Sequence, residues 1–63
     1  MFYIVYELRN CFNGNVLDSF LSGFKFDTYE EAEKHAILTV AEWNKDTAQM
    51  EGFYYKIGQT PKN

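Results

Sequence analysis

Residues 27–46 read DTYEEAEKHAILTVAEWNKD, and this stretch decides the fold. Thr28 followed by Glu31 fits a capping box, in which the hydroxyl accepts from one free N–H and the carboxylate reaches back to another. Asp27 with Glu30 is an equally legal frame, so the start is open by one residue. Glu30, Glu31 and Glu33 crowd the first turns, where the positive end of the helix dipole favours carboxylates. Ala32, Ala36, Val40 and Trp43 recur at three- and four-residue steps, with Ile37 beside them, which makes one apolar stripe of helical period. The small alanines let this helix approach a sheet closely, and Val40 and Trp43 fill the wider end. No other stretch reads as a helix.

Outward from the helix, the flanking segments read as strands. Residues 2–9 (FYIVYELR) alternate with period two and are rich in β-branched and aromatic residues. Phe2, Ile4, Tyr6 and Leu8 share one face. Tyr3, Val5, Glu7 and Arg9 share the other, which ends in charges and is therefore expected to face solvent. Asn13-Gly14 signals a type I′ hairpin, because both positions tolerate positive φ. A two-residue loop there sets Arg9 opposite Asp18, Tyr6 opposite Leu21 and Glu7 opposite Phe20, whereas a longer loop over 10–15 shifts that register. The second strand, residues 16–22, then places Leu17, Ser19 and Leu21 toward the core. A bulge at Gly23 is expected to reset the phase so that Phe24 and Phe26 point inward.

After the helix, residues 47–52 read as a loop and 53–58 (FYYKIG) as the third strand, with Phe53, Tyr55 and Ile57 inward and Tyr54 and Lys56 outward. The residues from 58 to 63, with Pro61, read as a flexible tail. The order β-β-α-β predicts one small α+β domain over 1–63. Its sheet is three-stranded and antiparallel, of order 2-1-3, with one helix packed on one face.

Sixty-three residues with one cysteine and one histidine exclude an intrachain disulfide and a structural zinc site. Chains of this size bury only about 60% of their unfolded surface, so stability rests on the apolar content. That content is 46%, with 19% aromatic. A net charge of −3 argues against phosphate-backbone binding, which needs clustered Lys and Arg. No apolar run approaches the roughly 20 residues of a membrane span. No basic segment leads into an apolar stretch as in a signal peptide. A cytoplasmic protein without cofactor, metal, membrane or direct nucleic-acid partner is the expectation, and an unpaired cysteine fits a reducing compartment.

No catalytic constellation stands out. His35 lies off the apolar stripe, without an orienting partner or pocket. Cys11 sits next to the turn, with no cationic helix end nearby to lower its pKa. The carboxylates at the helix start are explained by capping and dipole. A chain this short leaves little room for a ligand cavity of the usual 300–1,000 Å³, so an enzyme is not expected.

One helix covers one sheet face and leaves the other bare. That bare face is expected to carry Tyr3, Val5, Phe20 and Tyr54 among Glu7, Arg9, Asp18 and Lys56. Exposed apolar patches often mark interaction sites, so Tyr3, Val5, Phe20 and Tyr54, with Arg9 and Lys56, are the candidate partner-binding residues. A second candidate is the acidic side of the helix, Glu31, Glu42 and Asp46, which could imitate phosphates toward a basic nucleic-acid-binding or defence protein. A third reading is a structural homodimer or adaptor joined through open faces or strand edges.

The segments Thr28 to Ala32 (T-x-E-E-A), Ala41-Glu42-Trp43, Gly52-Phe53 and Pro61 resemble very small bacteriophage proteins that inactivate a host protein by binding it. The nearest likeness is to the T7-type inhibitor of bacterial RNA polymerase. The likeness covers about the last forty residues. It implies a non-enzymatic inhibitor acting in the host cytoplasm on a cellular protein, with RNA polymerase one candidate. That family presents arginines from its last strand, where this chain has Lys56 alone.

Overall fold

The computed structural model describes residues 1–46 and 50–61. Its elements are β1 (Phe2–Asn10), β2 (Val16–Phe26), α1 (Tyr29–Asn44) and β3 (Glu51–Gln59). The three strands form one sheet of order β2-β1-β3, antiparallel throughout, so the expected β-β-α-β, α+β architecture is present.

The helix starts in the Thr28 frame. Thr28 is extended, and its Oγ1 accepts from the Glu31 N–H at 3.2 Å, leaving Asp27 outside. Ala32 and Ala36 are fully buried, and Ile4 and Tyr6 of β1 complete the innermost core with them. Both alanines carry only a methyl group where the helix meets the sheet, as the alanine spacing anticipates. Phe2, Phe26, Val40, Trp43, Tyr55 and Ile57 pack around this centre, which confirms the inward faces of the first and third strands. At the other end of the helix, Asn44 forms a two-way clamp on β3. Its Oδ1 accepts from the Phe53 N–H at 2.7 Å and its Nδ2 donates to the Phe53 carbonyl at 3.2 Å.

The hairpin differs from the two-residue turn. Asn10 organises a longer loop: its N–H donates to the Asn15 carbonyl and its carbonyl accepts from the Gly14 N–H, both at 2.9 Å. Its Oδ1 takes the Phe12 and Asn13 N–H groups at 2.8 and 3.2 Å. Only Gly14 has positive φ, at 73°, whereas a type I′ turn needs two such residues. An Asn side chain bonding the backbone two residues on builds a turn of its own, and here it outcompetes the Asn-Gly signal.

The longer loop sets Arg9 opposite Val16, two residues off the expected partner. An irregularity at Leu17, between the Arg9–Val16 and Leu8–Asp18 pairs, leaves the strand beyond it shifted by one residue. Tyr6 pairs with Phe20, Glu7 with Ser19 and Leu8 with Asp18. A one-residue slip sends every side chain of a strand to the opposite face. Phe20 therefore sits on the helix side, its ring 5.7 Å from both Tyr6 and Trp43, and not on the bare face. The expected Arg9–Asp18 pair is absent, because Arg9 stands opposite Val16. Leu17, Ser19 and Leu21 are exposed and lie outside the core. An irregularity does occur around Gly23, where Ser22, Gly23 and Phe24 together face Ile4. It inserts two residues and so preserves the phase. Phe26 reaches the core as expected, but Phe24 stays 65% exposed.

The third strand is longer than the sequence suggests. Gly58 and Gln59 pair with Tyr3 and Phe2, and Thr60 donates to the Met1 carbonyl from its N–H at 2.8 Å and from its hydroxyl at 3.1 Å. The start of the tail is thus a sheet edge, and residues 62 and 63 lie outside the described residues. Residues 47–49 of the expected 47–52 loop also lie outside them, while Glu51 and Gly52 already belong to β3.

Candidate functional site

Two surfaces could act, and they lie on opposite sides of the sheet. The first is the bare face. Strand alternation brings Tyr3, Val5, Arg9, Tyr54 and Lys56 together there, as the sequence suggests, without Phe20. Tyr3 lies over Gly58, and a Cβ added there would run into its phenol ring, which would have to shift. Val5 lies between Leu21 on one neighbouring strand and Lys56 on the other, and Leu21 is 67% exposed.

The centre of this face is a residue absent from the sequence-based candidates. Glu7 is only 6% exposed, although its strand face has no helix above it. Arg9 donates to its Oε1, and Lys56 Nζ lies 3.5 Å from its Oε2. The Arg9 guanidinium in turn rests 5.2 Å from the centroid of the Tyr54 ring, a cation–π geometry. The hydrogen bond from Arg9 holds the Glu7 carboxyl below the ordinary carboxylate range. Desolvation opposes this, and the Arg9 and Lys56 charges reinforce it. The signal available in sequence was Glu7 and Arg9 two apart on one strand face, with Lys56 and Tyr54 alternating on another strand. This network uses its charges internally, so Arg9 is committed to Glu7 and Tyr54.

The second surface was not anticipated. The helix packs on β3, β1 and the Phe26 end of β2 but leaves the helix side of β2 open around Phe20, which is 41% exposed. A groove of about 520 Å³ runs between β2 and the C-terminal half of α1, open to solvent along its length. Leu8, Phe20, Trp43 and Phe53 form its apolar floor, and Asp18, Glu42 and Asp46 form its rim. The Trp43 ring meets Tyr6 at 4.8 Å, Phe53 at 5.1 Å and Phe20 at 5.7 Å, so the floor is one continuous aromatic cluster. Toward Gly23 a separate cleft of about 240 Å³, which shares Phe20 and Trp43 with the groove, is lined by Tyr6, Leu21, Phe24 and His35, among others. The size of the main groove falls within the range of ligand sites, where the length of the chain leads one to expect little room for one.

Of the three acidic candidates, Glu42 and Asp46 line this groove. Glu31 does not, and Asp18 from β2 takes the third place. What could have disclosed the groove is the register of β2: with Phe20 inward, Asp18 lies on the same side as the helix acids.

The remaining candidates are scattered. His35 is exposed, its ring 5.2 Å from Phe26 and 6.0 Å from Phe24. Cys11 is an exposed thiol beside Gly52. Among the described residues there is no group of three or more His, Cys, Asp or Glu placed to hold a metal ion. No helix among them is long and apolar enough to cross a membrane. Comparison with known protein families, characterised proteins and solved structures finds no match for the chain.

Proposed function

We propose that this chain is a non-catalytic protein-binding module that works by occupying a partner's surface, and that it is an inhibitor of a host bacterial protein of the kind small phage proteins target. The observation that carries the binding reading is the exposed apolar surface on ordered elements. Phe20, Phe24 and Leu38 on the helix side, and Leu21 and Tyr54 on the bare side, are each more than a third exposed. Phe20 joins Leu8, Trp43 and Phe53 in one open apolar groove, and an exposed apolar patch often marks an interaction site. The sequence likeness to phage inhibitors supports the inhibitor reading and makes RNA polymerase one target to try.

Assembly through strand edges is less well supported. On β2 the Ser19 N–H is taken by Asp18 Oδ1 at 2.8 Å and the Phe24 N–H by Ser22 Oγ at 3.2 Å, while the Asn44 clamp occupies Phe53 on β3. Such devices blunt edges against pairing. Phosphate mimicry is also less well supported, because the acids ring an apolar floor instead of tracking along a polar face.

Sedimentation velocity on the isolated chain, with affinity capture from bacterial lysate by wild type and by Phe20→Ala, tests the proposal. The expected result is a monomer that retains one defined protein, with retention reduced in the variant. A chain that sediments as a stable dimer and retains nothing contradicts it.

A further inference from the structure

We infer that the groove between β2 and α1 receives a basic segment of the partner, in which one Arg or Lys lays its alkyl stem on Phe20 and Trp43 and brings its cation among Asp18, Glu42 and Asp46; this rests on the reading of the chain as a protein-binding module.

Three observations lead there. The floor is apolar and aromatic, so an occupant must bring apolar surface, and aromatic faces also attract cations. The rim supplies three carboxylates, and no Lys or Arg lines the groove among the described residues. Lys45 reaches Glu42 from outside at 3.2 Å, but both side chains are about 70% exposed, and an exposed pair of this kind contributes little and is readily exchanged. Asp18 gives one oxygen to the Ser19 N–H and keeps the other. Third, Tyr6 is 3% exposed, and its buried hydroxyl has no hydrogen-bond partner among the described residues. Tyr6 lines a separate, smaller cleft that shares Phe20 and Trp43 with the groove. A buried hydroxyl without a partner is costly, and a polar group of an incoming segment would satisfy it.

Arg and Lys are the residues that meet all of this at once, because each carries an apolar stem and a charged head. A nucleic-acid strand would be repelled by the same carboxylates. A second copy of the chain would bring its own net charge of −3 to the carboxylate rim, which opposes its docking there.

The test selects short random peptides on the immobilised full chain and measures their binding to variants. Asp18→Asn, Glu42→Gln and Asp46→Asn together remove the negative rim. The amide introduced at position 18 keeps an oxygen that can accept from the Ser19 N–H, and circular dichroism verifies the fold. The inference predicts peptides enriched in Arg or Lys beside apolar residues. It predicts binding at least about tenfold weaker in the triple variant, falling with salt, and unchanged by Tyr54→Ala on the opposite face. Peptides without basic residues, or binding that survives the triple variant and is lost with Tyr54→Ala, overturn the groove and leave the binding module standing. So does a wild type that dimerises where the triple variant stays monomeric, since the occupant is then a second copy. A folded chain that retains no peptide overturns both readings.

Discussion

Glu7 shows how one residue can reverse the character of a surface. A bare sheet face made only of tyrosine, valine and leucine would be an indiscriminate sticky patch. A carboxylate at its centre, satisfied by Arg9 and Lys56, fixes the surrounding side chains and makes the face polar. The pH dependence follows from the direction of its pKa. Folding lowers the Glu7 pKa, so the folded state favours the ionised form. The resulting stabilisation is present above the ordinary glutamate value of about 4.3 and is lost as pH falls through the lower folded value. Thermal melts of wild type and Glu7→Gln as a function of pH check this. Wild type is expected to be the more stable at neutral pH and to converge with the variant in acid. Parallel curves would show that the Glu7 charge contributes nothing.

At the scale of elements, the helix and two of the strands were legible in the sequence and the second strand was not. The helix carried redundant signals: a cap at Thr28, acids in the first turn, and alanines at Ala32 and Ala36 that only a close packing explains. The first strand alternated without interruption. The second strand had apolar residues on both phases, Leu17 and Leu21 on one and Phe20, Phe24 and Phe26 on the other, so its pattern could not fix its own register. The turn and an irregularity had to fix it: the Asn10 side chain sets a longer loop and the extra residue at Leu17 turns Phe20 toward the helix, neither of which Asn13-Gly14 announced. The candidate site inherited that error, since the groove exists only when Phe20 faces the helix.

Asn44 gives a prediction at this scale. It ties the end of α1 to the edge of β3 through two hydrogen bonds, and each such bond contributes about 1 kcal/mol when solvent competes. Asn44→Ala is expected to lower stability by about 1–2 kcal/mol in urea melts and to speed amide exchange at Phe53. An unchanged midpoint together with unchanged exchange would show that the clamp is dispensable.

For the molecule as a whole, coverage is the governing constraint. A single sixteen-residue helix cannot cover the whole of three strands, and here it leaves β2 open around Phe20. The consequence is an asymmetric molecule, with a charge-locked face on one side and an acid-rimmed aromatic groove on the other. The two sides differ in what they can offer a partner. The first has its cations engaged, while the second has carboxylates and a hydroxyl still able to bond. Which surface works depends on one geometric fact, the side of the sheet on which the Phe20 ring lies. Proton NOE spectroscopy of the isolated chain reads that fact directly. Cross-peaks from the Phe20 ring to the rings of Trp43 and Tyr6, both at 5.7 Å between centroids, are the predicted result. Cross-peaks from Phe20 to Val5 and Tyr54 in their place would put Phe20 on the bare face, remove the groove, and contradict the functional reading built on it.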